Sequence, residues 1–182
     1  ANPVQVIGRQ EIEATGKATV ADLLRSISAN TGNANNETTN NGWASGSAGI
    51  GLRGLSQKNT LVLLNGRRLA NYGFPAGGLS DTFVNLNALP LVAVERIEVL
   101  KDGASAVYGS DAVAGVVNII TRQNFEGAEI GGSFGGADQG GLHEQNLKFV
   151  GGLGDIDKDG YNILFSLQAY NRERLDQDER NL

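Results

Sequence analysis

Residues 96–122, RIEVLKDGASAVYGSDAVAGVVNIITR, constrain the fold of this chain more than any other segment. The stretch Arg96–Leu100 alternates polar and apolar residues, as a half-buried β-strand does. Asp102-Gly103 is a turn signal, Ala104–Tyr108 predicts a short helix, and Val116–Thr121 is a second strand rich in β-branched residues. The segment therefore predicts two strands joined by a short connection of small residues, and it contains no catalytic constellation.

The N-terminal part of the chain predicts a strand, a helix and a long loop. Val4–Ile7 is a short run with strand character, and Thr19 followed by Asp22 matches a helix capping pattern. The apolar residues that then recur at helical spacing are Val20, Leu23, Leu24 and Ile27. Residues 30–49 are small and polar, and such a segment cannot bury enough apolar surface to hold itself rigid. We therefore expect a loop there.

Strand character returns twice before the central segment. Ile50–Arg53 and Thr60–Leu64 both predict strands, and Asn65-Gly66 supplies the positive φ angles of a tight hairpin turn. A second loop follows at residues 70–81, with aromatic residues among its glycines. The chain thus alternates short strands with two long loops.

The pattern changes after residue 124. Apolar and polar residues alternate with a two-residue period in three stretches, 128–134, 146–149 and 162–169. The connections between them are rich in glycine and aspartate, which predicts a meander of hairpins. Strands of outer-membrane barrels have this pattern, and so do ordinary antiparallel meanders.

The segment 96–122 resembles the signature of TonB-dependent receptor plug domains, in which a strand ending in RIEVL precedes a small-residue turn, a Tyr-Gly pair and a VNIIT-like strand. The matching positions are Arg96, Ile97, Glu98, Tyr108, Gly109, Gly115, Asn118 and Thr121. The resemblance implies an α+β fold, with a plug domain of small mixed β-sheet and short helices at residues 1–124. About three antiparallel strands of a truncated barrel would follow at residues 125–182.

In that family the plug sits in the lumen of a barrel of about 22 strands. Residues 125–182 are too few for so many strands of about ten residues each, so we expect a fragment of a longer protein. The TonB box, the segment by which such receptors contact TonB, would precede the first plug strand, and we expect it outside this chain.

The resemblance implies active transport. Such a receptor binds a scarce nutrient, commonly an iron-siderophore complex, cobalamin or an oligosaccharide, and opens when TonB, with ExbB and ExbD, pulls on the plug. The expected location is the outer membrane of a Gram-negative bacterium, with the plug inside its own barrel. We expect the isolated fragment to be soluble and to associate through exposed strand edges, or to fold these strands back on the plug sheet. A stand-alone extracytoplasmic binding or signalling module with the plug fold is the alternative.

The resemblance also implies two groups of site residues. The loops that face outward in such plugs correspond to residues 31–47 and 70–81, where amides and aromatic rings suit polar or sugar-like ligands. The ligand-binding candidates are Asn35, Asn36, Trp43, Tyr72 and Phe74. A plug-barrel latch, in which plug cations pair with acidic residues of the barrel wall, corresponds to Arg53 and Lys101. The family often has Arg where Lys101 stands and Gly-Pro where Asp102-Gly103 stands. Lys101 lacks the planar fork of arginine, so it departs from a bidentate latch.

Composition argues against several other classes of function. The net charge of −5 and the pI of about 4.9 argue against nucleic acid as a partner, since phosphate binding needs a concentrated basic face. The chain has no cysteine, which excludes thiolate catalysis and cysteine-ligated metal sites. No cofactor and no metal are expected.

Several motifs fit non-catalytic interpretations better than catalytic ones. Residues 49–54 match G-x-G-x-x-G but lack the strand before and the helix after that a dinucleotide site needs. Asp155, Asp157 and Asp159 resemble half of a calcium-binding loop, and a solvated hairpin turn explains them more simply. His143 is the only histidine, so no histidine-based triad forms within the chain. Glu95 and Glu98 flank Arg96, and we expect Arg96 to project away from both, as sheet-surface charges. We find no enzymatic constellation and expect no enzyme.

Overall fold

The computed structural model describes residues 4–30, 44–74, 82–102, 104–136 and 143–173. The chain divides into two compact units, Ala1–Thr121 and Arg122–Leu182. No helix in the described ranges is long and apolar enough to cross a membrane.

The first unit is built on a five-stranded mixed sheet with the order β1-β4-β5-β2-β3. These strands are β1 (Val4–Gly8), β2 (Thr60–Leu64), β3 (Arg67–Arg68), β4 (Val94–Leu100) and β5 (Gly115–Thr121). β5 pairs antiparallel with β4 and parallel with β2, while β1 and β3 are antiparallel edge strands. The two strands predicted within residues 96–122 are therefore neighbours, and the second of them is the central strand of the sheet.

Short helices and turns complete this unit. The helices are α1 (Arg9–Ala14), α2 (Val20–Arg25) and α3 (Ser105–Tyr108), and 3-10 turns lie at Leu52–Gly54, Gln57–Asn59, Leu86–Ala88, Leu91–Ala93 and Ser110–Ala112. The predicted cap of α2 is confirmed, because the Asp22 backbone N–H donates to Thr19 Oγ1 at 3.1 Å. The predicted hairpin turn between β2 and β3 is confirmed as well, with φ of 51° at Asn65 and 77° at Gly66.

Side chains from the sheet form apolar cores on both of its faces. The larger core packs alternate residues of β4 and β5, among them Ile97, Val99, Val117 and Ile119, against the apolar face of α2. The smaller core packs Leu61 and Val116, which are register partners, against Ala104 and Ala112. Burial on both faces explains why β5 is almost continuously apolar rather than alternating.

The strand predicted at Ile50–Arg53 is wrong. Its end lies in the 3-10 turn Leu52–Gly54, where Arg53 has a φ of 57°. The backbone N–H of Leu52 donates to Thr60 Oγ1 at 3.0 Å and that of Arg53 donates to the carbonyl of Ala29 at 2.9 Å. These donors are satisfied by a side chain and a loop carbonyl, so no ladder forms.

The second unit is an antiparallel sheet of three strands in the order β6-β7-β8. The strands are β6 (Gly127–Gly136), β7 (His143–Leu153) and β8 (Ile163–Arg172). Ile130, Phe149 and Leu167 are register partners on one face, where Ile130 is 80% exposed and Leu167 61% exposed. The opposite face carries polar side chains joined by hydrogen bonds. One face of this sheet is therefore apolar and exposed, and the other is charged and internally paired.

The three aspartates that resemble half of a calcium-binding loop, Asp155, Asp157 and Asp159, lie in the turn before β8. The carboxylate of Asp155 accepts hydrogen bonds from the backbone N–H groups of Asp157 at 2.8 Å and Lys158 at 3.3 Å. These bonds close an aspartate-initiated turn, as the hairpin interpretation predicts. His143 is exposed at the start of β7 and stacks on Phe134, with a centroid distance of 5.9 Å.

Candidate functional site

Two of the five predicted ligand-binding residues lie within the described ranges. Tyr72 and Phe74 are present there, while Asn35, Asn36 and Trp43 lie outside the described residues. Tyr72 lies between two other rings, with centroid distances of 6.2 Å to Phe74 and 5.6 Å to Phe83. Its backbone N–H donates to the carbonyl of Phe83 at 2.7 Å. We call Tyr72, Phe74 and Phe83 the aromatic cluster.

Phe83 anchors the aromatic cluster and was not predicted from the sequence. It is 2% exposed and packs with Ala44, whereas Phe74 is 50% exposed. A Cβ atom at Gly49 would lie 2.7 Å from Phe83 Cδ2, so the absence of a side chain at Gly49 allows the ring to pack this closely. In the sequence, Phe83 is recognisable as an apolar residue among polar ones. Its neighbours in sequence did not indicate that its ring would be buried.

The segment 44–49 is more ordered than the polar loop expected for residues 30–49. Ala44, Ser47 and Ala48 are buried. The Ala48 N–H donates to Asn85 Oδ1 at 3.1 Å, and the Leu86 N–H donates to the Ala48 carbonyl at 2.8 Å. These bonds fix the segment 44–49 to residues 82–86, which carry Phe83.

A cavity of about 300 Å³ adjoins the aromatic cluster. Phe83, Asn71, Thr82, Arg68 and Asp111 are among the residues that line it. The exposed ring of Phe74 and the half-buried ring of Tyr72 can stack on a flat ligand, and the polar groups of the cavity can form hydrogen bonds to it.

The two predicted latch residues lie close together in the structure. Arg53 Nη1 lies 3.1 Å from Asp102 Oδ1 and 3.4 Å from the Lys101 carbonyl oxygen. Lys101 Nζ lies 3.5 Å from Ser28 Oγ. We call Ser28, Arg53, Lys101 and Asp102 the charged cluster. It joins three segments that are distant in sequence and places both cations on one exposed surface.

Residues of the signature segment form a hydrogen-bond network across the sheet. Arg96 Nε donates to Glu98 Oε1 at 2.8 Å, and Asn118 Nδ2 donates to Glu98 Oε2 at 3.0 Å. Asn118 Oδ1 in turn accepts from the Gly66 N–H at 3.0 Å. The expectation that Arg96 projects away from Glu98 is therefore wrong, because residues two apart in a strand lie on the same face.

The same network fixes the β2–β3 turn to the end of β5. The Thr121 N–H donates to Asn65 Oδ1 at 2.9 Å, and Asn65 Nδ2 donates to Thr121 Oγ1 at 2.9 Å. Four of the signature positions, Arg96, Glu98, Asn118 and Thr121, thus take part in holding the hairpin turn against the central strands. These hydrogen bonds contribute to the stability of the sheet.

An ion pair that sequence reasoning missed connects the edge strand to the signature segment. The guanidinium of Arg68 donates to the carboxylate of Asp111 and to the carbonyl of Tyr108, with Nη2 3.2 Å from Asp111 Oδ1. The hydrogen bond from Arg68 holds the pKa of Asp111 below its usual value. The same bond raises the pKa of Arg68. The doublet of arginines after the hairpin turn was visible in the sequence, but its partner was not.

Arg9 is a second residue that the sequence did not identify. Its Nη1 lies 3.2 Å from the carbonyl oxygen of Leu91 and 3.0 Å from that of Val94, and its Nε donates to Glu13 at 2.8 Å. The Arg9 side chain is 16% exposed. These contacts fix the start of α1 to the chain that enters β4. Within the described ranges, no group of three or more acidic or histidine side chains could hold a metal ion.

Three features of the first unit together are typical of one class of domain. They are the mixed sheet with β5 at its centre, the small-residue helix after β4 and the hydrogen bonds among the residues of the signature segment. The model of the TonB-dependent receptor plug domain family matches residues 1–116. The chain belongs to this family. The predicted α+β plug fold followed by antiparallel strands is thereby confirmed.

Individual relatives are receptors and transporters. The chain is 31% identical over 166 residues to the vitamin B12 transporter BtuB of Vibrio cholerae serotype O1. The aligned region covers 91% of this chain and 24% of that protein. The chain is 25% identical to the ferric enterobactin receptor PfeA of Pseudomonas aeruginosa, with a TM-score of 0.62 over 82% of this chain and 22% of that one. The ferric citrate transporter FecA shares the fold, at 22% identity, with a TM-score of 0.67 over 94% of this chain and 26% of that one. The chain spans about a quarter of the length of these relatives.

Proposed function

We propose that this chain is the plug, with the first barrel strands, of a TonB-dependent active transporter in the outer membrane of a Gram-negative bacterium. The plug binds a scarce nutrient on its outer loops and gates the passage through its own barrel. TonB, with ExbB and ExbD, would open the plug by pulling on a segment that precedes β1. The chain acts by binding and gating, without a catalytic step.

The observation that carries this proposal is the family match over residues 1–116 together with the sheet centred on β5. The second unit supports it, because its exposed apolar face suits lipid and its charged face suits a polar lumen. The relatives handle vitamin B12, ferric enterobactin and ferric citrate, according to their names. These names support an iron-siderophore complex or a cobalamin as the ligand, and an oligosaccharide is the third candidate, which the family resemblance implies.

The aromatic cluster is the part of the ligand-binding surface that the geometry supports best. Phe83 packs against Tyr72, Tyr72 contacts Phe74, and Phe74 is half exposed. We also assign Asn35, Asn36 and Trp43 to ligand binding, because amides can form hydrogen bonds to a polar ligand and an indole can stack on a flat one. We assign Arg53 and Lys101 to a latch that pairs with carboxylates of the barrel wall.

The binding proposal is tested with the complete receptor gene in a strain from which that gene has been deleted. Uptake of labelled cobalamin, ferric enterobactin, ferric citrate and oligosaccharides identifies the ligand. For that ligand we expect the double variant Trp43→Ala/Tyr72→Ala to lose about tenfold or more in affinity, since each stacking ring contributes about 0.5–1.5 kcal/mol. Val107→Ala, an exposed apolar residue outside the aromatic cluster, is the matched control. Unchanged affinity and uptake in the double variant would remove the assigned surface, and a gene that stops after Leu182 would favour a stand-alone module.

The latch proposal is tested by leakage of the closed receptor. Arg53→Ala and Lys101→Ala should each raise the uptake of a small dye in cells that lack TonB, because loss of a plug cation leaves a barrel carboxylate without its partner. Lys58→Ala, a cation outside the charged cluster, serves as control. Wild-type leakage in both latch variants would contradict the assignment.

A further inference from the structure

Asp102 is the carboxylate that pairs with Arg53 in the described part of the chain. The two side chains are 72% and 47% exposed, and Nη1 lies 3.1 Å from Oδ1. Asp102 directly follows Lys101, the second predicted latch cation. This plug thus carries an acid directly beside both cations that are assigned to the latch.

The backbone of Arg53 is held in a conformation that favours glycine. Its φ is 57°, and the following Gly54 has a φ of 71°. The Arg53 N–H donates to the Ala29 carbonyl at 2.9 Å, which fixes its Cα beside Ser28, the acceptor of Lys101 Nζ. A residue with a side chain is uncommon in this conformation, which here directs the Arg53 side chain toward residues 101–102. The guanidinium reaches the 101–102 segment and contacts both a carbonyl and the Asp102 carboxylate.

Charge and exposure make this pair suitable for exchange. The charged cluster holds two cations, Arg53 and Lys101, and one acid, so it retains positive charge after the Arg53–Asp102 pair forms. An exposed ion pair is weak, and another carboxylate can displace it. Breaking a buried ion pair costs more free energy than breaking an exposed one, because it leaves a buried charge without a partner. This cost is smaller where a second partner of opposite charge is within reach.

We propose that Asp102 is an exchangeable counter-ion for Arg53. Asp102 holds the guanidinium of Arg53 in position while no other acid is near. When the plug is bound inside the barrel, a carboxylate of the barrel wall replaces Asp102 as the partner of Arg53. When the latch breaks, Asp102 pairs with Arg53 again, which lowers the cost of separating plug and barrel. The proposal rests on the latch assignment given under Proposed function.

The positioning role is tested on the chain as it stands. Phenylglyoxal reacts at the two Nη atoms of a guanidinium. A carboxylate that contacts Nη1 therefore hinders the reaction, and its removal should speed it. We expect Arg53 in Asp102→Asn and Asp102→Gly to react about two- to fivefold faster than in the wild type, as measured by peptide mass spectrometry. Asp102→Glu should restore the slow rate. Arg68, paired with Asp111, is the internal reference, and its rate should not change. An Arg53 rate in Asp102→Asn equal to the wild-type rate would overturn the proposal.

The exchange is tested in the complete receptor. Asp102→Asn should slow TonB-dependent uptake about two- to fivefold while ligand affinity stays unchanged, and Arg53→Ala should abolish this difference in a double-mutant cycle. Wild-type uptake in Asp102→Asn, combined with altered leakage in Arg53→Ala, would overturn the exchange and leave the latch standing. Wild-type leakage in Arg53→Ala would overturn the latch itself, and with it the exchange, whatever the phenylglyoxal result.

Discussion

Replacement of Gly115 by alanine should destabilise the first unit strongly. Gly115 begins β5, the central strand, and has a φ of 139°, a conformation that residues with a side chain rarely adopt. A Cβ atom there would lie 2.5 Å from the Leu100 carbonyl oxygen and 2.9 Å from Leu52 Cδ1. The first of these neighbours is backbone in the adjacent strand, so relief requires β4 and β5 to separate.

The magnitude follows from the two separate costs. A side chain in a sparsely populated backbone conformation costs about 1–3 kcal/mol, and overpacking of a core costs about 1–3 kcal/mol. The total of about 2–6 kcal/mol compares with an overall stability of about 5–15 kcal/mol for a typical domain. With a urea m-value of about 2 kcal/mol/M, the unfolding midpoint should fall by about 1–3 M.

The assay is urea unfolding followed by circular dichroism, together with amide hydrogen exchange of peptides from β4 and β5. Gly16→Ala is the matched control, because Gly16 has a φ of 64° but open space where a Cβ would lie. It should cost only the conformational term, about 1–2 kcal/mol. Equal shifts for Gly115→Ala and Gly16→Ala would refute the argument that close packing against Leu100 makes glycine necessary in the signature.

Three further measurements test other parts of the structure. Thr19→Ala should lower stability by about 1 kcal/mol through loss of the α2 cap, whereas Thr19→Ser should retain it; equal midpoints for the two variants would contradict this. The pKa of Asp111 is lowered from the usual aspartate value of 3.8 by its pair with Arg68. The pair therefore stabilises the fold at pH values above 3.8, and this stabilisation is lost as the pH falls through the lowered pKa. Asp111→Asn should therefore lose less stability than wild type between about pH 5 and pH 2, and parallel profiles would count against the pair. Among the described residues, the outer edges of β6 and β8 pair with no further strand. These edges should associate between chains and give concentration-dependent sedimentation, and a strictly monomeric species with unprotected amides in these strands would oppose this.

Features that depend on nearby residues were predictable from the sequence. The Thr19–Asp22 cap, the Asn65-Gly66 turn and the alternation in β6 to β8 are set by residues within a few positions of one another, and the structure confirms them. The failed strand at Ile50–Arg53 has the opposite cause. Its residues have strand propensity, but Thr60 and Ala29, both outside the segment, take its backbone donors.

The candidate site was predictable in part. Tyr72 and Phe74 were recognisable as aromatic residues in a loop, and the family resemblance pointed to Arg53 and Lys101, but the neighbours of these residues were not predictable. Phe83 anchors Tyr72 only because Gly49 leaves room for its ring. Arg53 meets Asp102 across 49 positions of sequence, and Arg9 meets the Leu91 carbonyl across 82.

The sequence alone identified the family, through the motif at residues 96–122, and it predicted most of the strands and the local turns, because hydrophobic periodicity and backbone preferences act over a few residues. Tertiary structure decided which strand became central, which ring turned inward and which acid reached which cation. Such pairs form only when the whole sheet closes and its two cores pack, and the free energy that selects them is shared among many distant contacts. No short stretch of sequence contains that information.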